Sequence, residues 1–305
     1  MKKTLKKILQ FIHDHEFGFT VFFVITVTFT SANVTYYIAT DSYDNPPEFT
    51  LGVTRLENGH TLMCVTNLRD APAFYDNKLS VEETSSEDSS RVIEIDKMGN
   101  VVWEKNNMAF PHEILKLPNG NVLVADTRRD RLVEFDYDTK EPVWEWYPNY
   151  INWTKINSSF EEDYGYSRTD YFWSHLNDVD FHSYESWNAV LVSMRNFDMV
   201  VEINYTAEME KPYQTENVVW YYGGMKMYNN TKNKDDAVLN RQHNPDYLSN
   251  GNIIIADSEN DRVIEVNKTT KEVVWKYENI EHWCRDADEL PNGNILITEI
   301  MKIYE

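Results

Sequence analysis

From Leu51 onward, short runs of Val, Ile and Leu alternate with polar turn dipeptides. The stretch HEILKLPNGNVLVADTRRDRLVEFDYDTKEPVWEW begins at His112, and its first turn is Asn119-Gly120. A second stretch, HNPDYLSNGNIIIADSENDRVIEVNKTTKEVVWKY, begins at His243 and matches the first along its length without a gap, with Asn250-Gly251 at the same place. Short apolar strands closed by such dipeptides predict antiparallel hairpins. Recurrence of the whole unit at about forty residues predicts the four-stranded blades of a β-propeller.

Three looser copies complete the pattern. The first runs from Leu51 as LGVTRLENGHTLMCV, is interrupted by a Ser- and Glu-rich insertion (Ser80 to Ser90), and resumes as RVIEIDKMGNVVWEK. The third starts at His175 and ends in NVVWYYG; the fifth opens at Arg285, and the sequence stops at Glu305 after one inner hairpin. The expectation is an all-β propeller over residues 51–305, with four complete blades and a started fifth. Trp103, Trp144, Trp220 and Trp275 close the blades and are expected to wedge between neighbours. Two long insertions, Tyr147 to Trp173 and Tyr222 to Asn240, are expected to line or cover a binding site.

The N-terminus differs in kind. Residues 1–16 carry Lys2, Lys3, Lys6 and Lys7, and residues 17–39 hold no charge. That stretch is long enough to cross a bilayer as a helix, and the lysines before it predict a cytoplasmic N-terminus. A cleaved signal peptide is the alternative, because Thr30 to Ala32 resembles a small-residue cleavage site. The favoured reading is a single-pass anchor, a linker over 40–50 and a propeller outside the cytoplasm. Sequons at Asn152, Asn157, Asn204, Asn229 and Asn267 fit that placement. The net charge of -21 argues against nucleic acid or anionic lipid bound through a basic face and is read chiefly as solubility. Cys64 and Cys284 are expected as separate buried thiols, with a bridge between first and last repeats as the alternative.

Aligning the copies on their turn glycines singles out one position, the start of each innermost strand. It holds Leu51, His112, His243 and Arg285, and His175 is placed there in the third copy. Innermost strands begin beside the central channel, so three histidines and an arginine are expected to converge. Imidazoles could bind a metal. No carboxylate accompanies them at tight ligand spacing, and Arg195 and Arg285 disfavour a cation, so no metal site is expected. Imidazole, guanidinium and amide groups suit a sulfate- or phosphate-like anion, and an imidazole nitrogen can accept the transferred group without a redox cofactor.

The segment SHLNDVDF…AVLVSMRNFDMVVEIN resembles the H-x-N and S-x-R pattern of bacterial and archaeal aryl-sulfate sulfotransferases, and RQHNPDYLSNGNIIIAD resembles their Q-H motif. The resemblance implies a six-bladed propeller moving a sulfuryl group from an aryl sulfate to a phenol by a ping-pong route through a sulfohistidine. It implies His243 as the nucleophile, with His175, Asn177 and Arg195 gripping the sulfuryl oxygens and His112 acting on the leaving oxygen. Arg285 is placed in the site by repeat position alone. A non-catalytic propeller that binds a ligand through its axial pocket is the competing reading. A quinoprotein-like propeller is a third, since DYDTKEPVWEW and NKTTKEVVWKY resemble the tryptophan-docking repeats of those proteins.

Overall fold

The computed structural model describes residues 48–67, 90–158, 160, 173–205, 215–224, 238–281, 283–299 and 303–304. All lie within the compact unit that runs from Ala39 to Glu305. The expected anchor at 17–39, residues 159 and 161–172 of the first long insertion and residues 225–237 of the second fall outside the described residues. No helix among the described residues is long and apolar enough to cross a membrane.

The described chain forms antiparallel sheets in sequence order. The first blade is β1 (Glu48–Arg55), β2 (Thr61–Asn67), β3 (Ser90–Ile95) and β4 (Val101–Met108). The second is β5 (Pro111–Lys116), β6 (Val122–Asp126), β7 (Arg131–Phe135) and β8 (Pro142–Trp146). The third is β9 (Leu176–Ser183), β10 (Asn188–Met194), β11 (Met199–Asn204) and β12 (Val218–Gly223). The fourth is β13 (His243–Tyr247), β14 (Ile253–Asp257), β15 (Arg262–Val266) and β16 (Val273–Tyr277). The fifth holds β17 (Cys284–Glu289), β18 (Ile295–Glu299) and β19 (Ile303–Tyr304), one strand more than the hairpin expected. β1 begins inside the stretch read as linker. Each blade pairs its strands in simple order, and the inner strands β1, β5, β9, β13 and β17 pack successively against one another.

The turn chemistry sets the hairpins. Gly120 and Gly251 adopt φ of 88° and 84°, which a side chain would strain. Asn119 and Asn250 each accept a bond from the amide two residues on, at 3.0 and 2.9 Å, and so fix the turn locally. One buried glutamate on a third strand explains another repeated letter. Glu134 accepts bonds from the side chains of Asn119 and Asn121 in its own blade and from the Tyr205 hydroxyl of the next. Gly52 permits close approach of β1 to β5, since a Cβ there would lie 2.4 Å from the His112 carbonyl.

Between blades the apolar strand faces form continuous cores. Val124, Val133 and Phe135 pack with Leu62, Cys64 and Val92 between blades one and two; each such aliphatic burial contributes roughly 1.5–3 kcal/mol before entropy is counted. Three of the four closing tryptophans are wedges. Trp103 stacks on Tyr137 at 5.4 Å and donates to its carbonyl at 2.7 Å. Trp144 meets Tyr205 edge-on, and Trp220 donates to the Lys268 carbonyl. Tyr137, Tyr205 and Lys268 occupy one position, two residues beyond the last paired residue of the third strand. Trp275 departs from the expectation: it is 39 % exposed, and the matching position of the fifth blade would follow β19, beyond the described residues. Both cysteines are free and buried. From the described part of the first insertion, Ile151, Trp153, Phe160 and Trp173 join the core between blades two and three.

Candidate functional site

The register of the inner hairpins fixes which residues are equivalent. Pro111 pairs with Asp126, Leu176 with Met194 and Cys284 with Glu299. The residue after each is therefore the repeat position, which holds His112, Asn177 and Arg285, and the gapless match of the second and fourth copies puts His243 there too. His175 lies two residues before Asn177, which corrects its placement from turn counting. It shares a position with Phe110, Arg241 and Trp283, and all four adopt left-handed φ of 46–57°. The matching amide bonds, Arg128 to the Ala109 carbonyl, Asn196 to Ser174 and Glu259 to Asn240, agree on that alignment. The longer hairpin of the third blade, with its Ser183–Asn188 end, had displaced the count.

Side chains from both positions meet in one cluster. The rings of His112 and His175 meet edge-on with centroids 5.0 Å apart. His243 Nδ1 lies 2.8 Å from Ser258 Oγ, and Arg285 Nη1 lies 3.1 Å from His243 Nε2. Guanidinium can only donate, so Nε2 accepts and carries no proton. Nδ1 then donates to Ser258, whose hydroxyl donates to the Ala256 carbonyl at 3.3 Å. Trp283 flanks His243 at 5.1 Å and supports the Arg285 guanidinium at 5.2 Å; Phe110 flanks His112 at 5.1 Å. His112 Nδ1 lies 3.3 Å from the Phe110 carbonyl, which leaves its Nε2 bare when neutral.

Two of the expected residues act on the backbone. Asn177 donates to the Gln242 carbonyl at 2.9 Å, just before His243, while its own carbonyl oxygen is buried without a partner. The Gln242 amide is in turn held by Ser193 and the Met199 carbonyl. Arg195 donates its backbone amide to the His175 carbonyl. It follows the second strand of its blade, where Thr127 and Ser258 stand in blades two and four. Sequence reasoning missed Ser258, although a hydroxyl or cation recurs at that position. It also missed the aromatic pair Phe110 and Trp283, two residues upstream of the position it singled out.

Burial and neighbouring arginines keep the histidines neutral. His243 is pushed well below its usual range by desolvation first, then by Arg285 and Arg195. His175 is lowered by burial and Arg195, and His112 falls to about 3 through burial and Arg285. Arg195 itself drops to about 10, through burial and then Arg241. A chain of strong net negative charge thus concentrates Arg195, Arg241 and Arg285 at one pocket, the arrangement an oxyanion needs.

Aspartates in the left-handed turns between second and third strands build this pocket across blades. Asp130 accepts from the Trp173 and Ser174 amides at 2.8 and 2.7 Å and from the Ser174 hydroxyl at 2.5 Å. Asp198 accepts from the Arg241 amide at 2.7 Å. Burial raises the Asp130 carboxyl to about 7, against the pull of these donors. Asp130→Ala strands buried donors beside His175 and is expected to cost about 1–3 kcal/mol. Thermal melting should read this as a fall of roughly 5 °C, and Asp130→Asn, which keeps an acceptor, should recover part of it.

The arylsulfotransferase (ASST) family model matches residues 3–255. No curated protein sequence matches the chain significantly. Among solved structures, a protein of unknown function from Bacteroides caccae superposes with a TM-score of 0.49 at 13 % identity, over 82 % of this chain and 70 % of that one. Streptogramin B lyase gives 0.47 at 10 % identity, over 83 % and 64 %. Virginiamycin B lyase from Staphylococcus aureus gives 0.46 at 11 %, over 86 % and 81 %.

Proposed function

The chain belongs to the arylsulfotransferase family, and on that premise we propose that it moves a sulfuryl group from an aryl sulfate to a phenol through a sulfohistidine on His243. The observation that carries the reading is the bare Nε2 of His243, oriented by Ser258 and facing Arg285. In the first half-reaction the Arg285 guanidinium turns from Nε2 to the incoming sulfuryl oxygens, and the Nε2 lone pair it releases attacks sulfur. An N–S bond forms, the S–O bond to the aryl group breaks, and the phenolate leaves with that electron pair. Arg195 and Arg285 balance charge on the sulfuryl oxygens, and His175 closes the same pocket. Phe110 and Trp283 offer aromatic walls for the ring, and Trp283 Nε1, buried without a partner, is free to donate to a sulfuryl oxygen.

In the second half-reaction the acceptor phenol oxygen attacks sulfur and the N–S bond breaks, returning its electrons to Nε2. The phenol proton passes to His112 Nε2, left bare by the bond of Nδ1 to the Phe110 carbonyl, and on to water, which returns His112 to its neutral form for the next turnover. This assigns His112 to the acceptor's proton rather than to protonating the leaving oxygen, because its depressed basicity keeps it neutral beforehand. No step needs a cofactor. Aryl sulfate and phenol reach a pocket that the basic, then apolar, N-terminus would place outside the cytoplasm.

The test uses the full chain with a chromogenic aryl sulfate. Donor alone should release one phenolate per chain in a burst and add the mass of one SO3 group to the protein. A phenol acceptor should then remove that mass and sustain turnover. Absence of phenolate release, or turnover without the mass increase at any time, would sink the covalent route.

A further inference from the structure

The inner strands carry a second constellation, one to three residues beyond the repeat position. The next residues along are Glu113, Asp178, Asn244 and Asp286; two further on stand Asp180, Asp246 and Asp288. Six carboxyl groups from four blades thus share the channel beside the arginine and histidine pocket, and sulfuryl transfer uses none of them. Ligand oxygens of Asp246, Asp286 and Asp288 lie within 4.8 Å of one another. Asp178 is 3 % exposed, and its Oδ2 has no hydrogen-bond partner. It shares a strand face with Asp180, two residues on, whose Oδ2 accepts from the Tyr247 amide beside Asp246 at 3.2 Å, so it is directed toward the same cluster. Asp286 Oδ1 is likewise buried without a partner.

We propose that this cluster binds one calcium ion through Asp246, Asp286 and Asp288, with Asp178 as a further oxygen ligand. The donor set is all hard oxygen, without the imidazole or thiolate that selects zinc or copper. Coordination separates the two common hard cations. Calcium takes six to eight oxygens at about 2.3–2.6 Å in flexible geometry, so carboxylates within 4.8 Å of one another can share one ion; magnesium keeps most of its waters and takes one or two carboxylates rather than a cage of three or four. A bound cation compensates carboxylates that otherwise repel one another at low dielectric. It also ties blades three, four and five together through β9, β13 and β17, directly behind His243 and Arg285. The site stands whether or not the pocket transfers sulfuryl groups.

The full chain, stripped with a chelator and dialysed, is titrated with calcium chloride by calorimetry and melted in parallel. One calcium per chain is expected, with a Kd below about 1 mM. At free calcium near a hundred times Kd, the melting midpoint should rise by roughly 5–10 °C, and magnesium at the same concentration should give less than half that shift. Asp246→Asn and Asp288→Asn should each weaken calcium binding at least tenfold. Asp288 is exposed, so its variant decides the matter should Asp246→Asn fold poorly. No bound calcium and no shift in the native chain would overturn the site, leaving the carboxyls neutralised by protons. An equal or larger magnesium shift, or an unchanged calcium response in Asp288→Asn, would overturn it as well.

Discussion

His243→Ala is expected to abolish phenolate release from an aryl sulfate, lowering turnover by roughly a thousandfold or more. The donor-dependent mass increase should vanish with it. His243 is 2 % exposed, so truncation also opens a cavity, and a folding defect could mimic lost chemistry. His243→Gln separates the two, because it fills the site and can bond Ser258 and Arg285 without offering an imidazole nitrogen. Both variants should be inactive, while the glutamine form melts close to the native protein. Ser258→Ala should cost far less, on the order of tenfold, since it releases only the tautomer and ring orientation. Retained turnover in His243→Gln would move the nucleophile elsewhere, and His112, with its own bare Nε2, would be the next residue to replace.

The blades were legible because their information is local. Asn-Gly turns, period-two apolar runs and closing tryptophans each act within a few residues, and the two well-matched copies beginning at His112 and His243 repeat them without a gap. The convergence of His112, His243 and Arg285 followed from that repeat alone. Equivalence in the third blade did not. Counting back from a turn fails where a hairpin lengthens, and the register of Leu176 with Met194 shows that Asn177, not His175, holds the repeat position. His175 reaches the pocket from the left-handed residue before the strand, a conformation uncommon for any residue but glycine and not marked by a glycine here. The inter-blade contacts were hidden for a different reason. Asp130 holding Ser174, and Asn177 holding Gln242, join residues more than forty positions apart, and nothing in either sequence window encodes its partner. The carboxyl tier was visible as letters in HLNDVDF, HNPDY and RDADE, but only the shared register gathers those letters into one place.

Arg285→Gln should reveal the coupling between that arginine and the nucleophile through pH as well as rate. Loss of a donor aimed at a developing oxyanion costs on the order of 10²–10³ in turnover. The pH profile carries the sharper signature. The reactive form of His243 is neutral, and its folded-state basicity lies well below the usual 6.5, with burial the largest cause and Arg285 the next. In the native protein kcat/KM should therefore hold level as pH falls through 6.5 and decline only well below it. Removing the Arg285 charge leaves the burial in place, so the acid limb should move up while remaining under 6.5. Stability follows with a defined sign. The unfolded chain takes up protons on His112, His175 and His243 below about pH 6.5, whereas the folded chain does not, so these groups withdraw stability as pH falls from 6.5 toward their folded values. Arg285→Gln should lessen that acid penalty, seen as a shallower loss of melting temperature between pH 6.5 and 5 once the native and variant curves are aligned at pH 7. An acid limb that stays put in Arg285→Gln would mean that the guanidinium, although 3.1 Å from Nε2, leaves the protonation of His243 to burial alone.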